Sequence, residues 1–254
     1  MYWDSTKPPS IVDSCLAKVK SLNPNHNVVL LNKESVKEFL PDTDFLDSNL
    51  CNAHKSDYLR LNLLYLYGGI WVDATTLVYN DFSWVHESQE YDLCAYYRDV
   101  STTDKEYPIV ETWLLAAPKM NEYIKSWLDN FKPIVTLGSH DYFNTLQNRK
   151  DFKKISQKIT SPDYLMLNLA QQIAARETDH SFNLRRSEDC AFYYQRLYKW
   201  DTIMSAIMLM VIEKPSQTPE LIKLTSMERR FIGVSRSLRI INKKSIFGDL
   251  NKAP

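Results

Sequence analysis

Apolar residues recur at positions 11, 12, 15, 16, 19 and 22, the spacing of one face of a helix, and Asn23-Pro24-Asn25 breaks the pattern. Residues 28–31 form a short apolar run that reads as a strand, and residues 34–40 read as a short helix. Ahead of them, Met1-Tyr2-Trp3 leads at once into a Lys-Pro-Pro loop and reads as the last residues of a strand whose beginning is missing. A βαβα opening of this kind predicts a parallel sheet with flanking helices.

Residues 56–67 are almost entirely apolar after Ser56-Asp57 and Arg60, which predicts a buried helix. Ser56 suits its N-cap, Asp57 its first turn, where the helix dipole favours negative charge, and Arg60 the same face three residues on. Gly68-Gly69 predicts the stop, because glycine takes a left-handed C-cap without steric cost. Ile70-Trp71-Val72 is too short for a helix and rich in strand formers, and Asp73 follows where that strand ends. Ligands of open α/β sheets collect at such carboxyl ends.

Further along, residues 91–97 and 111–117 read as strands and the polar stretch 98–108 as a loop able to act as a lid. Residues 121–131, 138–147 and 165–176 read as helices, and 221–224 as a late strand. The stretches 151–163 and 177–219 have no dominant period, although 206–212 is an apolar core segment. From Arg229 onward seven basic residues face one acidic residue, Asp249. The expected division is therefore a domain over residues 1–226 and a basic C-terminal extension over 227–254. That extension is either a solvated surface or an attachment to anionic lipid.

Composition narrows the function classes. The 254 residues are 44% hydrophobic and 24% charged, with 31 basic and 31 acidic side chains, so no global charge drives nucleic-acid binding. Fifteen tyrosines and six tryptophans suit either stacking on sugars and bases or an aromatic core. Cys15, Cys51, Cys94 and Cys190 match no zinc or dithiol spacing and suggest buried thiols in a reducing compartment. Neither a secretory signal nor an apolar run near the ~20 residues of a membrane span is visible, so the expected location is the cytoplasm, with any membrane contact peripheral.

Ser56-Asp57-x-x-Arg60, Gly68-Gly69-Ile70-Trp71 and Asp73 together resemble the donor-binding core of glycosyltransferases of the GT-A fold. The closer resemblance is to the capsular polysaccharide synthesis family, a relative of the DXD sugar-binding transferases. Weaker pieces are Tyr2-Trp3-Asp4 with Pro8-Pro9, Trp113-Leu114-Leu115-Ala116-Ala117, His140-Asp141-Tyr142-Phe143 and Leu221-Ile222-Lys223-Leu224-Thr225. The resemblance implies an α/β fold with a GT-A-like, Rossmann-type mixed sheet flanked by helices. It also implies a hexosyltransferase-type enzyme that moves a sugar from a nucleotide diphosphate sugar to a hydroxyl of a growing capsular or other surface polysaccharide. The acceptor would be a glycan or lipid-linked glycan at the inner face of the membrane.

By the same resemblance Asp57 and Arg60 hold donor-sugar hydroxyls, and Asp73 contacts the ribose, a metal or a metal-bound water. Trp3 stacks on the base or packs in the core. His140 and Asp141 are acceptor-side candidates, although Asp141 also suits a helix N-cap. The relatives carry Asp-x-Asp where this chain has Asp73-Ala74-Thr75. Thr75 is a weaker ligand than a carboxylate for Mn²⁺ or Mg²⁺, so a metal held by Asp73 and Thr75 and a metal-free site both remain open. The missing carboxylate also keeps open a catalytically inactive nucleotide-sugar or glycan-binding protein of the same fold.

Overall fold

The computed structural model describes residues 1–86, 90–238 and 240–250. Helix α1 (Ser10–Leu22) precedes α2 (Asn52–Tyr67), and strands β1 (Gly69–Val72) and β2 (Thr76–Val78) follow directly. A short helix α3 (Ser83–His86) leads to β3 (Leu93–Tyr97) and β4 (Val110–Ala117). Four helices come next: α4 (Glu122–Phe131), α5 (Pro133–Gln147), α6 (Phe152–Ser156) and α7 (Met166–Glu177). Strand β5 (Phe182–Arg186), helices α8 (Tyr193–Leu197) and α9 (Thr202–Val211), strand β6 (Leu221–Lys223) and helices α10 (Ser226–Leu238) and α11 (Ile246–Leu250) complete the order.

The main sheet runs β1-β4-β3-β5, and β2 pairs with β6 in a second, two-stranded sheet. Strand β4 is antiparallel to both β1 and β3, whereas β3 and β5 are parallel. The sheet is therefore mixed, as the family resemblance implies, whereas the parallel sheet expected from the opening of the chain does not form there. Residues 28–31 contribute only a bridge between Tyr2 and Leu31, and residues 34–40 only a 3-10 turn at Ser35–Glu38.

Helices cover both faces of the main sheet, which is why Leu93–Tyr96 and Trp113–Ala117 are buried throughout instead of alternating. On one face Leu59, Leu61 and Leu64 of α2, Tyr123, Trp127 and Phe131 of α4 and Leu169 and Ile173 of α7 join Trp71 and Leu115. On the other, Val19 of α1 meets Val72, Trp84, Tyr96 and Trp113. Helix α4 begins where its sequence predicts, because the Asn121 side chain accepts from the Ile124 amide at 3.0 Å.

Helix α2 starts one turn earlier than its pattern suggests. Its first residue is Asn52, so Ser56 lies in the second turn and does not cap it. Tertiary contact explains the extension: the buried His54 ring meets the Ser139 hydroxyl at 2.8 Å and the Tyr164 carbonyl at 3.1 Å. Gly68 does end the helix at φ 66°, but with ψ −158°, a conformation more extended than the expected left-handed cap.

The polar loop 98–108 is tied down. The Glu188 carboxylate accepts from the Asp99 and Val100 amides, and Gln157 Oε1 accepts from the Thr103 and Asp104 amides. The described part of 227–254 packs onto the body. Ile232, Ile246, Phe247 and Leu250 are buried with Leu77, Leu209 and Ile222, and Asp249 pairs with Lys18 and Lys214. A basic extension standing off from the domain is not confirmed; Arg239 and residues 251–254 of that segment lie outside the described residues. None of the four cysteines is in a disulfide, and Cys51 is exposed, contrary to the expected burial. Among the described residues no helix is long and apolar enough to cross a membrane.

Candidate functional site

Strand β1 ends against β4, and the Asp73 amide donates to the Trp113 carbonyl at 2.8 Å. This fixes the Asp73 carboxylate at the edge of a cleft of about 690 Å³ that is also lined by Trp3, Asp57, Arg60 and Thr75. The four residues of the expected donor site, Trp3, Asp57, Arg60 and Asp73, thus share one concavity with Thr75, the candidate metal ligand. His140 and Asp141 do not line it. They lie on α5 with side chains 88% and 70% exposed, bonded to one another at 2.9 Å.

Arg60 is the centre of the floor. Its Nη2 meets Asp57 Oδ1 at 3.2 Å and Asp73 Oδ1 at 3.3 Å, while Nη1 donates to the Thr112 carbonyl at 2.6 Å. The Trp71 indole N–H donates to Asp73 Oδ1 at 3.0 Å, and its ring lies 5.2 Å from the Arg60 guanidinium carbon. The Asp73 Oδ2 accepts from the Lys223 ammonium, carried in by β6. Both oxygens of Asp73 are therefore occupied by protein donors. Burial alone would raise its pKa, but Lys223 and Arg60, with hydrogen bonds from Lys223 and Trp71, outweigh that and hold it at about 2.

Asp57 differs. Its pair with Arg60 uses one oxygen, its side chain keeps 13% exposure, and among the described residues the second oxygen has no protein partner. Burial pushes its carboxyl up, with Arg60 and His54 opposing. This is a desolvated acceptor with a free lone pair toward the cleft, a suitable partner for a hydroxyl donor.

Arg229 of α10 closes the same end. It donates to the Leu224 carbonyl at 3.0 Å and to the Thr75 hydroxyl at 3.4 Å. Among the described residues it pairs with no carboxylate. Burial lowers the pKa of both Arg229 and Lys223, with Asp73 opposing in each case. Neither Lys223 nor Arg229 is recognisable as a site residue in the sequence. They follow Asp73 by well over a hundred residues, and only the β2–β6 pairing, which sets Thr76 opposite Lys223, brings them to it.

The opposite wall holds a second ion pair. Glu111 of β4 meets Arg98 at 3.3 Å and accepts from the Trp113 indole at 3.0 Å. Arg98 in turn stacks on Trp200 at 4.2 Å and Phe192 at 4.9 Å. Burial raises the Glu111 carboxyl, with Arg98 opposing.

The residues at hand fit a divalent cation poorly. Both Asp73 oxygens are taken, the Thr75 hydroxyl already accepts from Arg229, and among the described residues no three or more histidine, cysteine or acidic side chains are grouped so as to hold a metal ion. An oxygen-liganded Mn²⁺ or Mg²⁺ would have to displace Lys223 and Arg60 from Asp73. What the cleft offers instead is fixed positive charge beside one free carboxylate oxygen.

Comparison with known proteins relates the chain to glycosyltransferases. The chain is 28% identical over 143 residues to the O-glycosyltransferase braB of Annulohypoxylon truncatum, covering 50% of this chain and 34% of that protein. It is 30% identical over 84 residues to the O-glycosyltransferase PaGT of Phomopsis amygdali, covering 31% of this chain and 20% of that protein. The matched regions thus span about a third or less of these relatives. Among solved structures, the PaToxG glycosyltransferase aligns over 98% of this chain and 85% of that one, at 17% identity and a TM-score of 0.38, so the fold is argued from the sheet itself. The model of the capsular polysaccharide synthesis protein family matches residues 1–179, a span that runs through α2, β1 and Asp73, and the chain belongs to that family.

Proposed function

We propose that this chain is a glycosyltransferase that binds a nucleoside diphosphate sugar in the cleft and transfers its sugar to an acceptor hydroxyl, in the manner of a GT-A-like, hexosyltransferase-type enzyme. The observation that carries the reading is the Asp57–Arg60–Asp73–Lys223 network with Arg229 beside it, at the end of β1 in one cleft. The family and the O-glycosyltransferase relatives favour the same chemistry.

Each residue then has a role. The free oxygen of Asp57 accepts a hydroxyl of the donor sugar, while Arg60 holds Asp57 and Asp73 in place. Trp3, on the rim, gives a flat surface for the base. As the bond between the sugar's anomeric carbon and the diphosphate oxygen breaks, negative charge grows on the leaving phosphate. Lys223 and Arg229, which line the cleft and are held in a site partly shielded from water, would meet that charge there, where a fixed cation acts strongly. In this reading they do the work that a divalent cation on Asp73 and Thr75 would otherwise do, the metal-free of the two alternatives the sequence leaves open, and Asp73 anchors the cations. The acceptor is a glycan hydroxyl of a surface polysaccharide.

Hydrolysis of a panel of nucleoside diphosphate sugars tests the reading, with the purified protein in EDTA, in Mg²⁺ and in Mn²⁺. The expected result is slow hydrolysis of one donor that survives EDTA, is lost in Asp57→Ala, and falls roughly a hundredfold in Lys223→Met, the size seen on removing one preorganised donor. Hydrolysis that requires Mn²⁺ would return the charge-stabilising role to a metal. The second reading, a nucleotide-sugar or glycan binder without turnover, draws on the full occupation of Asp73 by protein cations. It predicts binding of UDP or GDP with no hydrolysis of any donor, even with acceptors supplied.

A further inference from the structure

Helix α9 is apolar on every side. From residue 202 to residue 211 only Thr202 and Ser205 are polar. Ser205, Ala206, Leu209 and Met210 are buried toward the body. Ile203, Met204, Ile207 and Val211 face outward and are 36% to 49% exposed. At 100° per residue these four occupy an arc of about 100°, a continuous stripe along the helix. Ile212, the next residue, is exposed as well. A helix apolar all round normally belongs inside a core or in contact with lipid, and a stripe of this kind in water marks an interaction surface.

The charges around the stripe identify the partner. Arg196 and Lys199 are exposed just before the helix, and Lys214 follows it. The loop carrying the exposed Lys243 and Lys244 is held at its C-terminal end, because the Asn242 amide donates to the Met210 carbonyl at 3.0 Å and the Lys214 amide to the Lys244 carbonyl at 2.8 Å. Over residues 196–214 and 242–245 there are five basic side chains and two acidic ones. One of the acids, Asp201, is engaged in capping α9; Glu213 pairs with Lys244 at 3.4 Å, and from just outside these segments Asp189 pairs with Arg196 at 3.0 Å and Asp249 with Lys214 at 3.1 Å, so that among the described residues Lys199 before the helix and Lys243 after it carry no ion pair. An apolar stripe with basic residues at both ends matches an anionic bilayer surface, whose headgroups meet the lysines while the acyl region takes the isoleucines.

We propose that the outer face of α9 seats this protein on an anionic lipid leaflet. The surface is joined to the cleft, since Trp200 and Thr202, at the start of α9, line it. Seating α9 in the headgroup layer sets the cleft mouth beside the bilayer, where an acceptor carried on a lipid lies within reach. The proposal does not depend on which nucleotide the cleft holds.

Co-sedimentation of the full chain with vesicles tests it, using phosphatidylcholine alone and phosphatidylcholine mixed with phosphatidylglycerol. The chain is expected to pellet with the mixed vesicles and to be released by high salt. Ile207→Glu, at an exposed position, is expected to reduce partition roughly tenfold or more with an unchanged melting temperature, and Lys243→Glu to weaken it less. Wild-type protein left in the supernatant with both vesicles would overturn the proposal, as would Ile207→Glu pelleting like wild type. A concentration-dependent dimer abolished by Ile207→Glu, without vesicle binding, would assign the stripe to a second copy of the chain instead.

Discussion

Asp57 and Asp73 lie against the same guanidinium, yet their environments push them in opposite directions. For Asp73 the folded pKa of about 2 is below the ordinary 3.8. Its contribution to stability is present above 3.8 and is lost as pH falls through 2; the shift corresponds to roughly 2 kcal/mol at neutral pH. For Asp57 the folded value is raised, so its contribution is present below 3.8 and is lost as pH rises through the folded value. Asp73→Asn should therefore lower the melting temperature at pH 7, the more so because it leaves Lys223 buried without a carboxylate. The difference from wild type should narrow between pH 4 and pH 2. Asp57→Asn should melt no lower than wild type at pH 7 and still lose donor hydrolysis, because Arg60 keeps Asp73 and Thr112. A melting series from pH 2 to 8 on the three proteins checks both signs; a pH-independent deficit in Asp73→Asn would refute the assignment. These two acids and Arg60 were legible in the sequence because they sit within 17 residues, on one helix and the strand after it.

At the scale of elements, the join between α2 and β1 sets the position of Asp73. Gly68 has φ 66°, and a Cβ there would lie 2.5 Å from the Lys119 amide nitrogen, in the turn that follows β4. The same turn is tied to α2 by the Met120 amide, which donates to the Tyr65 carbonyl at 2.7 Å. Gly68→Ala is expected to cost about 2 kcal/mol or more, from the positive φ and the backbone clash together, as measured by chemical denaturation. Gly69 also has positive φ but nothing within 4 Å of an added Cβ, so Gly69→Ala should cost less. The glycine pair was readable as a stop. The clash was not, because it involves a turn fifty residues away. The early strand at 28–31 failed for a related reason: a short apolar run specifies burial, and whether it joins a sheet depends on an edge being free to receive it.

For the whole molecule, the cleft is assembled from both sheets. Asp57 comes from α2, Lys223 from β6 and Arg229 from α10, with Asp73 at the end of β1 holding Lys223, so a ligand that binds the first three links the two sheets. UDP or GDP, whichever binds, should raise the melting temperature of a single unfolding transition. At a hundred times its dissociation constant the gain is about 2.7 kcal/mol, or about 5 to 10 °C for a chain of this size. In Lys223→Met the shift given by the diphosphate should fall to that of the monophosphate, while the monophosphate shift persists. An equal loss of both would mean that Lys223 supports the fold and not the diphosphate.

The sequence by itself determined the α/β class, the helix–glycine–strand–aspartate unit, the helices after β4 and the family, since each rests on a local pattern whose period or spacing survives in any fold. It did not determine the strand order of the sheet, the packing of the segment after residue 226, or the cations that occupy Asp73. Those depend on which strands pair. Pairing β2 with β6 joins positions about 145 residues apart through backbone hydrogen bonds that carry no side-chain signature, and only the folded chain shows that Lys223 arrives where the sequence left a metal and a metal-free site both open.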